Sequence, residues 1–283
     1  MLNDFQRVQV LSEALPFIQK FAGKTIVIKY GGSAMQDQLL KNKVIEDILF
    51  LSYVGLKLVL VHGGGPAINH WLNRLDIESN FHKGVRVTDS ATMEVVEMVL
   101  VGKVNQELVA LINKKKGKAI GLSGKDARLI IASQLVDELD NFVGKIDKVN
   151  SDIINLLIQE GYIPVIASVA ASLEGQSYNI NADTVAGSIA SKLKAEKLIL
   201  LTDTSGIMQN IHDPQTLIRL ADVSKIEELK KKNVISGGMI PKVDCCTQAI
   251  SNGVKSAHII DGRVEHALLL EILTKNGIGS MLV

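Results

Sequence analysis

Residues 25–33 read T-I-V-I-K-Y-G-G-S. The first four are apolar or β-branched without alternation, the pattern of a strand covered on both faces of a sheet. The strand delivers Lys29 at its end and passes at once into Gly31 and Gly32. Glycines let backbone N–H groups approach an anion closely, and a lysine adds positive charge. A tight strand-to-helix turn with a solvated lysine would read the same way, so this stretch needs support from elsewhere in the chain.

Support comes first from L-V-L-V-H-G-G-G-P, residues 58–66, where another apolar strand meets three glycines and a proline suited to a first helical turn. That combination makes an anion nest at a helix N-terminus. Further strands are expected at 120–123, 163–168, 197–202, 258–261 and 280–283. Helical patterns fill the intervals at 35–53, 66–75, 91–116, 148–160, 181–193, 222–232, 239–252 and 264–275. Strands alternating with helices predict an α/β fold, a three-layer αβα sandwich around a mainly parallel sheet of roughly eight strands. In 91–116, Val95, Val96, Val99, Leu100, Val104, Leu108 and Ile112 recur at helical spacing. Asp89 or Ser90 can cap its start, and Lys114, Lys115, Lys116 and then Gly117 close it.

Three more motifs fall on loops after strands, where open parallel sheets bind ligands. Y-N-I-N-A-D-T-V-A (178–186) alternates Asn179, Asn181 and Asp183 before a small-residue helix. Asp183 could serve only the helix dipole there, or it could organise cations. L-L-T-D-T-S-G-I (200–207) ends a strand with Thr202, Asp203 and Gly206. I-S-G-G-M-I-P-K (235–242) repeats the glycine-pair-and-lysine unit with Gly238, Met239 and Lys242. Two familiar phosphate signatures are absent. Gly63-x-Gly65 meets Ile68 where a dinucleotide fingerprint needs a small residue, and Gly23-Lys24-Thr25 has Ile18 where a P-loop needs its first glycine. Two separate glycine/lysine units point instead to two lysines converging on phosphate, and phosphoryl transfer needs mainly positioning and charge stabilisation.

Composition narrows the setting. Of 283 residues, 47% are hydrophobic and the formal net charge is +1, so nothing calls for nucleic acid or an anionic membrane. The opening MLNDFQRVQV holds no apolar signal run, and the longest stretch without a charge, 58–73, contains Gly63-Gly64-Gly65-Pro66. A soluble chain is expected, in cytoplasm or a plastid stroma. Adjacent Cys245 and Cys246 suit two thiols in a helix better than a disulfide or a zinc set. The excess of lysine (25) over arginine (6) fits an AT-rich coding genome, such as a plastid or some bacteria.

Taken in order, the five motifs resemble the amino-acid kinase family across nearly the whole chain, and within it the branch that acts on N-acetyl-L-glutamate. The G-V-R-V-T stretch, 84–88, is similar to that branch's substrate-arginine segment. The resemblance implies ATP-dependent phosphorylation of the side-chain carboxylate, an early step of arginine biosynthesis, with Mg²⁺ held mainly by the phosphates. It implies that Lys29 and Lys242 stabilise the transferring phosphoryl group while Asp183 orients both. Gly64, Gly65, Arg86 and Asn179 would bind the acceptor. Gly31, Gly32, Thr202, Asp203, Gly206, Gly238 and Met239 would bind ATP. An acceptor carboxylate has a pKa near about 4.3, so it is already an anionic nucleophile and needs no histidine base. A sister kinase for glutamate, aspartate, carbamate or UMP, and a non-catalytic nucleotide sensor, remain the alternatives.

The two ends of the chain carry a regulatory expectation. In 4–21, Phe5, Val8, Leu11, Leu15 and Ile18 recur at helical spacing, with Pro16 placed to kink the helix. Its apolar face must fold back on its own subunit or find a partner. The resemblance favours a partner: arginine-inhibited members interlace such a helix to join three dimers in a hexamer. It also places an allosteric L-arginine site at His258, Glu271 and Gly277, with Phe17 where a tyrosine is common, and implies a P-II-type nitrogen regulator as partner. The expected organisation is 1–22 as the oligomerisation helix, 23–190 as the acceptor lobe and 191–283 as the ATP lobe with the arginine site.

Overall fold

The computed structural model describes residues 3–32, 35–79, 81–82, 85–136, 140–211 and 213–283. Ser33 of the first motif and Gly84 of the arginine-bearing stretch lie outside the described residues.

The chain starts with α1 (Asp4–Phe21), then alternates β1 (Thr25–Tyr30), α2 (Gln38–Tyr53), β2 (Lys57–His62) and α3 (Gly65–Arg74). A hairpin of β3 (Phe81–His82) and β4 (Val85–Arg86) leads into α4 (Ser90–Glu97), a π-helical segment (Met98–Asn105) and α5 (Gln106–Lys114). Next come β5 (Ala119–Ser123), β6 (Ile130–Gln134), β7 (Gly144–Val149), α6 (Asp152–Gln159), β8 (Ile163–Ala167), β9 (Val169–Ala171) and β10 (Ser177–Asn179). The last third holds α7 (Ala182–Leu193), β11 (Lys197–Thr202), β12 (Leu220–Ala221), α8 (Val223–Lys231), α9 (Met239–Ser251), β13 (Ser256–Asp261), α10 (Ala267–Leu273) and β14 (Ser280–Leu282).

Among the described residues, one sheet has eight strands in the order β12-β14-β13-β11-β1-β2-β8-β5. Its pairs are parallel except β13 with β14. All seven strands expected from sequence lie in it. Successive residues of β1 face opposite layers. Ile26 and Ile28 pack with residues of α2, α3, α4, α5 and α10, while Val27 packs with residues of α6, α7, α8 and α9. Each layer excludes water from one face, which gives the expected αβα sandwich. Shortening Ile28 to alanine at this fully buried position would cost about 2–5 kcal/mol.

The expectation of a single sheet is too simple. A second sheet of four strands, β10-β9-β6-β7, and the β3/β4 hairpin stand beside it. Two of these strands, β9 and β10, are three residues long, and β7 (GKIDKV) is charged along its exposed positions, so no long apolar run marks those three. The helix expected at 148–160 accordingly starts later, because Val149 still belongs to β7.

The segment 91–116 also departs from a uniform α-helix. All seven of its marked apolar residues are buried, and Asp89 caps it by accepting a hydrogen bond from Thr92 N at 2.8 Å. Its middle, however, is π-helical. At its far end Lys116, not Gly117, takes the left-handed conformation (φ 67). Gly117 is needed for space, since a Cβ there would meet Ile112 Cγ2 at 2.5 Å.

Helix α1 is closed by a capping box in which Asn3 and Gln6 exchange side-chain-to-backbone bonds of 2.8 and 3.0 Å. Pro16 lies inside it. Phe5, Val8, Leu11 and Leu15 are exposed at 78, 61, 64 and 49%. Only its last turns, with Phe17 and buried Phe21, reach the core. The helix therefore does not fold its apolar face back onto its own chain. Cys245 and Cys246 are free thiols in α9.

Candidate active site

The parallel register of β1, β2 and β11 sets their carboxyl ends side by side. That edge collects Lys29 from β1, the 63–65 glycines after β2, and Thr202–Asp203 at the end of β11. Facing it are the first turns of α7 and α9. Asn181 caps α7 by accepting hydrogen bonds from the N–H groups of Asp183 (2.8 Å) and Thr184 (3.2 Å). This fixes Asp183 in the first turn, where the helix dipole favours a carboxylate. The aspartate serves the helix and organises cations at once.

Asp183 is 7% exposed and stands between the two predicted lysines. Lys29 Nζ lies 3.0 Å from Oδ1, and Lys242 Nζ, from the first turn of α9, lies 2.8 Å from Oδ2. The Oδ1 contact is an ion pair without hydrogen-bond alignment, whereas Oδ2 accepts a hydrogen bond from Lys242. Burial pushes the Asp183 pKa up, but the two ammonium groups outweigh it and hold the carboxyl below its ordinary range. The centre thus carries two positive charges and one negative, a net +1 in a partly dry site. Gly31 lies beside it, and a Cβ there would come within 2.8 Å of Lys29 Nζ and push the ammonium group from its place.

On one side, Arg86 is buried and its guanidinium donates to Asn69 Oδ1 at 2.5 Å, to Gly65 O at 3.5 Å and to Ser79 Oγ. Burial pulls its pKa down. Asn179 Nδ2 donates to Thr88 Oγ1 at 3.1 Å, and that hydroxyl donates to Arg86 O at 3.1 Å. Thr88, fully buried, joins the two predicted acceptor-binding residues. Gly64 lines a cavity of about 120 Å³ with Gly32, Lys41, Pro66 and Glu107. There Lys41 and Glu107 form a 2.5 Å ion pair that sequence gave no reason to expect. Gly65 has open space where a Cβ would be.

On the other side lies a cleft of about 340 Å³ lined by Thr204, Gly206, Ile207, Asn210, Ser236 and Met239, among others. Thr204 Oγ1 is buried and makes no hydrogen bond among the described residues. A buried unsatisfied hydroxyl is costly in a native fold and points to a ligand partner. Gly206 has φ 134 and leaves room for Ser280 Oγ, which accepts from Ile207 N at 2.8 Å. Gly32 has φ 77 and lies against Asp203, and Thr202 is buried at the strand end. Gly238 caps α9. The predicted ATP residues therefore split between the cleft (Gly206, Met239), its helix N-terminus (Gly238) and the strand-end turn beside Lys29 (Gly31, Gly32, Thr202, Asp203).

A sequence model of the amino acid kinase family matches residues 24–261, well over half the chain. The chain belongs to the amino acid kinase family. Within the family it is 64% identical over the full length of both chains to a protein named acetylglutamate kinase from Gracilaria tenuistipitata var. liui. It is 61% identical to another of that name from Thermosynechococcus vestitus, covering 100% of this chain and 96% of the relative. Among solved structures, N-acetylglutamate synthase from Neisseria gonorrhoeae, complexed with coenzyme A and N-acetyl-glutamate, superposes with TM-score 0.85 at 25% identity over 98% of this chain. This chain spans 63% of that protein's length.

The member described here carries a further cleft, of about 190 Å³, behind α1 and α10. His258, Glu271 and Gly277 all line it, with Phe17, Lys197 and Arg219. His258 Nδ1 donates to Glu271 Oε1 at 2.6 Å, and its Nε2 faces Lys197 Nζ at 2.8 Å. Glu271 Oε2 also accepts from Ile278 N and Gly279 N at 2.7 and 3.1 Å. Burial pulls the His258 pKa down against the pull of Glu271 and holds Lys197 near about 8. No helix of the described residues is long and apolar enough to cross a membrane.

Proposed function

We propose that this chain transfers the γ-phosphoryl group of ATP to the side-chain carboxylate of N-acetyl-L-glutamate. The observation that carries this reading is Asp183 gripping Lys29 and Lys242 at the carboxyl edge of the sheet, where the glycine-rich loops gather. The full-length identity to proteins named acetylglutamate kinase supports the choice of acceptor.

In this mechanism the carboxylate oxygen attacks the γ-phosphorus while the bond to the β-bridging oxygen breaks. ADP leaves with that electron pair, and an acyl phosphate forms. No proton needs removal. The obstacle is repulsion between two anions, which Lys29 and Lys242 offset as charge spreads over the phosphoryl oxygens. Asp183 keeps the two ammonium groups in place. Arg86 and Asn179 hold the α-carboxylate, and Gly64 and Gly65 present N–H groups to the reacting end. Gly31, Gly32, Thr202, Asp203, Gly206, Gly238 and Met239 hold the nucleotide. Mg²⁺ would be held mainly by the ATP phosphates and would add to the charge the two lysines supply.

The same proposal assigns residues 23–190 to the acceptor lobe and 191–283 to the ATP lobe. It assigns the cleft at His258, Glu271 and Gly277 to L-arginine as inhibitor, with α1 joining dimers into a hexamer through its uncovered apolar face. A P-II-type regulator would act on that assembly, in a plastid stroma or cytoplasm. An ADP-release assay tests the core of the proposal. N-acetyl-L-glutamate should support turnover where glutamate, aspartate, carbamate and UMP do not. Faster turnover with any of those four would move the acceptor assignment.

A further inference from the structure

The π-helical segment ends on Asn105, a polar residue only 1% exposed in an otherwise apolar layer. Its Nδ2 donates one hydrogen to Val165 O at 2.8 Å and shares the other between His62 Nε2 at 3.0 Å and Leu122 O at 3.3 Å. Two backbone carbonyls can only accept, so they fix which end of the amide faces them. His62 Nε2 must then accept, which leaves the ring proton on Nδ1. That nitrogen lies 3.0 Å from Gly63 O and donates to it. His62 is completely buried. Gly121 makes room for the arrangement, since a Cβ there would collide with Asn105 Oδ1. Insertion of one extra residue per turn is a recurrent device for turning a side chain toward a site.

The Gly63 carbonyl is therefore held toward the core. Described peptide bonds in this chain are trans, and a trans unit points its C=O and N–H to opposite sides. Gly64 N–H is thus aimed away from His62, and Gly64 lines the cavity with Gly32 and Pro66. Among the described residues no hydrogen bond uses the N–H of Gly64 or Gly65.

We infer that Asn105 and His62 are positioning residues, a buried relay that locks the Gly63–Gly64 peptide so that Gly64 N–H faces the reacting anion. The inference rests on the acceptor-pocket assignment of Gly64 above. Two substitutions separate positioning from packing. In His62→Asn the new Nδ2 stands where the ring Nδ1 was and can still hold Gly63 O. In His62→Gln the amide reaches toward Asn105 and leaves Gly63 O without its donor. With melting temperatures matched, His62→Asn should keep kcat within about threefold of wild type, while His62→Gln loses on the order of tenfold or more, with KM for ATP unchanged. Equal kcat in the two variants would overturn the inference. Independently of activity, ¹⁵N NMR of the histidine-labelled full chain should show His62 protonated at Nδ1 and not at Nε2, and the reverse tautomer would overturn it. Absence of wild-type turnover with N-acetyl-L-glutamate would sink the acceptor assignment, and the tautomer would still decide the geometry.

Discussion

Lys242 Nζ lies 2.8 Å from Asp183 Oδ2, tying the first turn of α9 to the first turn of α7. The bond places one ammonium group from late in the chain opposite Lys29, which shares the same carboxylate. Lys29→Ala and Lys242→Ala should each lower kcat by on the order of 10²-fold or more, because each removes one charge from the transition state. Asp183→Asn should also depress kcat, since neither lysine would keep its anchor. Circular dichroism should show all three folded. Near-normal turnover in either lysine variant would refute the assigned role.

Gly32→Ala should be damaging out of proportion to its size. The backbone there has φ 77, and the new methyl would lie 2.4 Å from Asp203 Oδ1. Strain of this kind costs of order 1–3 kcal/mol. The expected result is a lower melting temperature together with a raised KM for ATP. An unchanged KM for ATP would remove this turn from the nucleotide site.

Stability should fall as pH drops from neutral toward 4. Burial lowers the His62 pKa to about 4 from an ordinary 6.5 and lowers that of His258 as well. Between those values the unfolded chain binds protons that the folded chain refuses, so stability rises with pH across the window. For His62 the difference corresponds to about 3 kcal/mol, present above pH 6.5 and lost progressively down to about 4. Asp47, whose pKa burial raises, works in the opposite sense at the acidic end. Urea midpoints measured at several pH values should therefore fall more steeply in wild type than in His62→Asn. Parallel slopes would mean that His62 is not buried neutral.

Deletion of residues 1–15 is the cleaner test of assembly, because Phe17 and Phe21 belong to the packed end of α1. Light scattering should report a particle smaller than a hexamer, with activity kept and arginine inhibition largely lost. A hexamer that persisted with full inhibition would exclude α1 as the coupling element. In the same cleft, Phe17→Tyr should strengthen arginine inhibition by about three- to tenfold if its hydroxyl gains one hydrogen bond.

The main sheet was legible because its strands are apolar runs, and Lys29 and Lys242 because each lies within four residues of a glycine pair, before it in one case and after it in the other. The second sheet was not, since β9 and β10 are only three residues long and β7 carries charge on its outer positions. The π-helical turn left no trace either. Val99, Leu100, Val104 and Leu108 keep a helical rhythm whether or not one residue is inserted, so nothing set Asn105 apart. His62 read as part of a glycine motif, and its bond to Asn105 spans 43 residues that no local pattern connects. Thr88 was noticed only as the end of the 84–88 stretch, and Lys197 only as a strand residue, because each acts through a partner brought in by the fold.

β1 pairs with both β2 and β11, so one hydrogen-bonded ladder runs without a break from the strand that leads to Gly65 to the strand that leads to Asp203. Two bodies joined by a flexible linker can swing about a hinge. Halves sharing a continuous parallel sheet cannot, because swinging would break the β1–β11 ladder. Any opening that admits ATP or releases ADP must then be absorbed as a change in sheet twist at the β1–β11 seam. Lys29 and Thr202 both sit at the carboxyl end of that seam, so breathing of the sheet would alter the distance between the lysine centre and the cleft lined by Gly206 and Met239 directly.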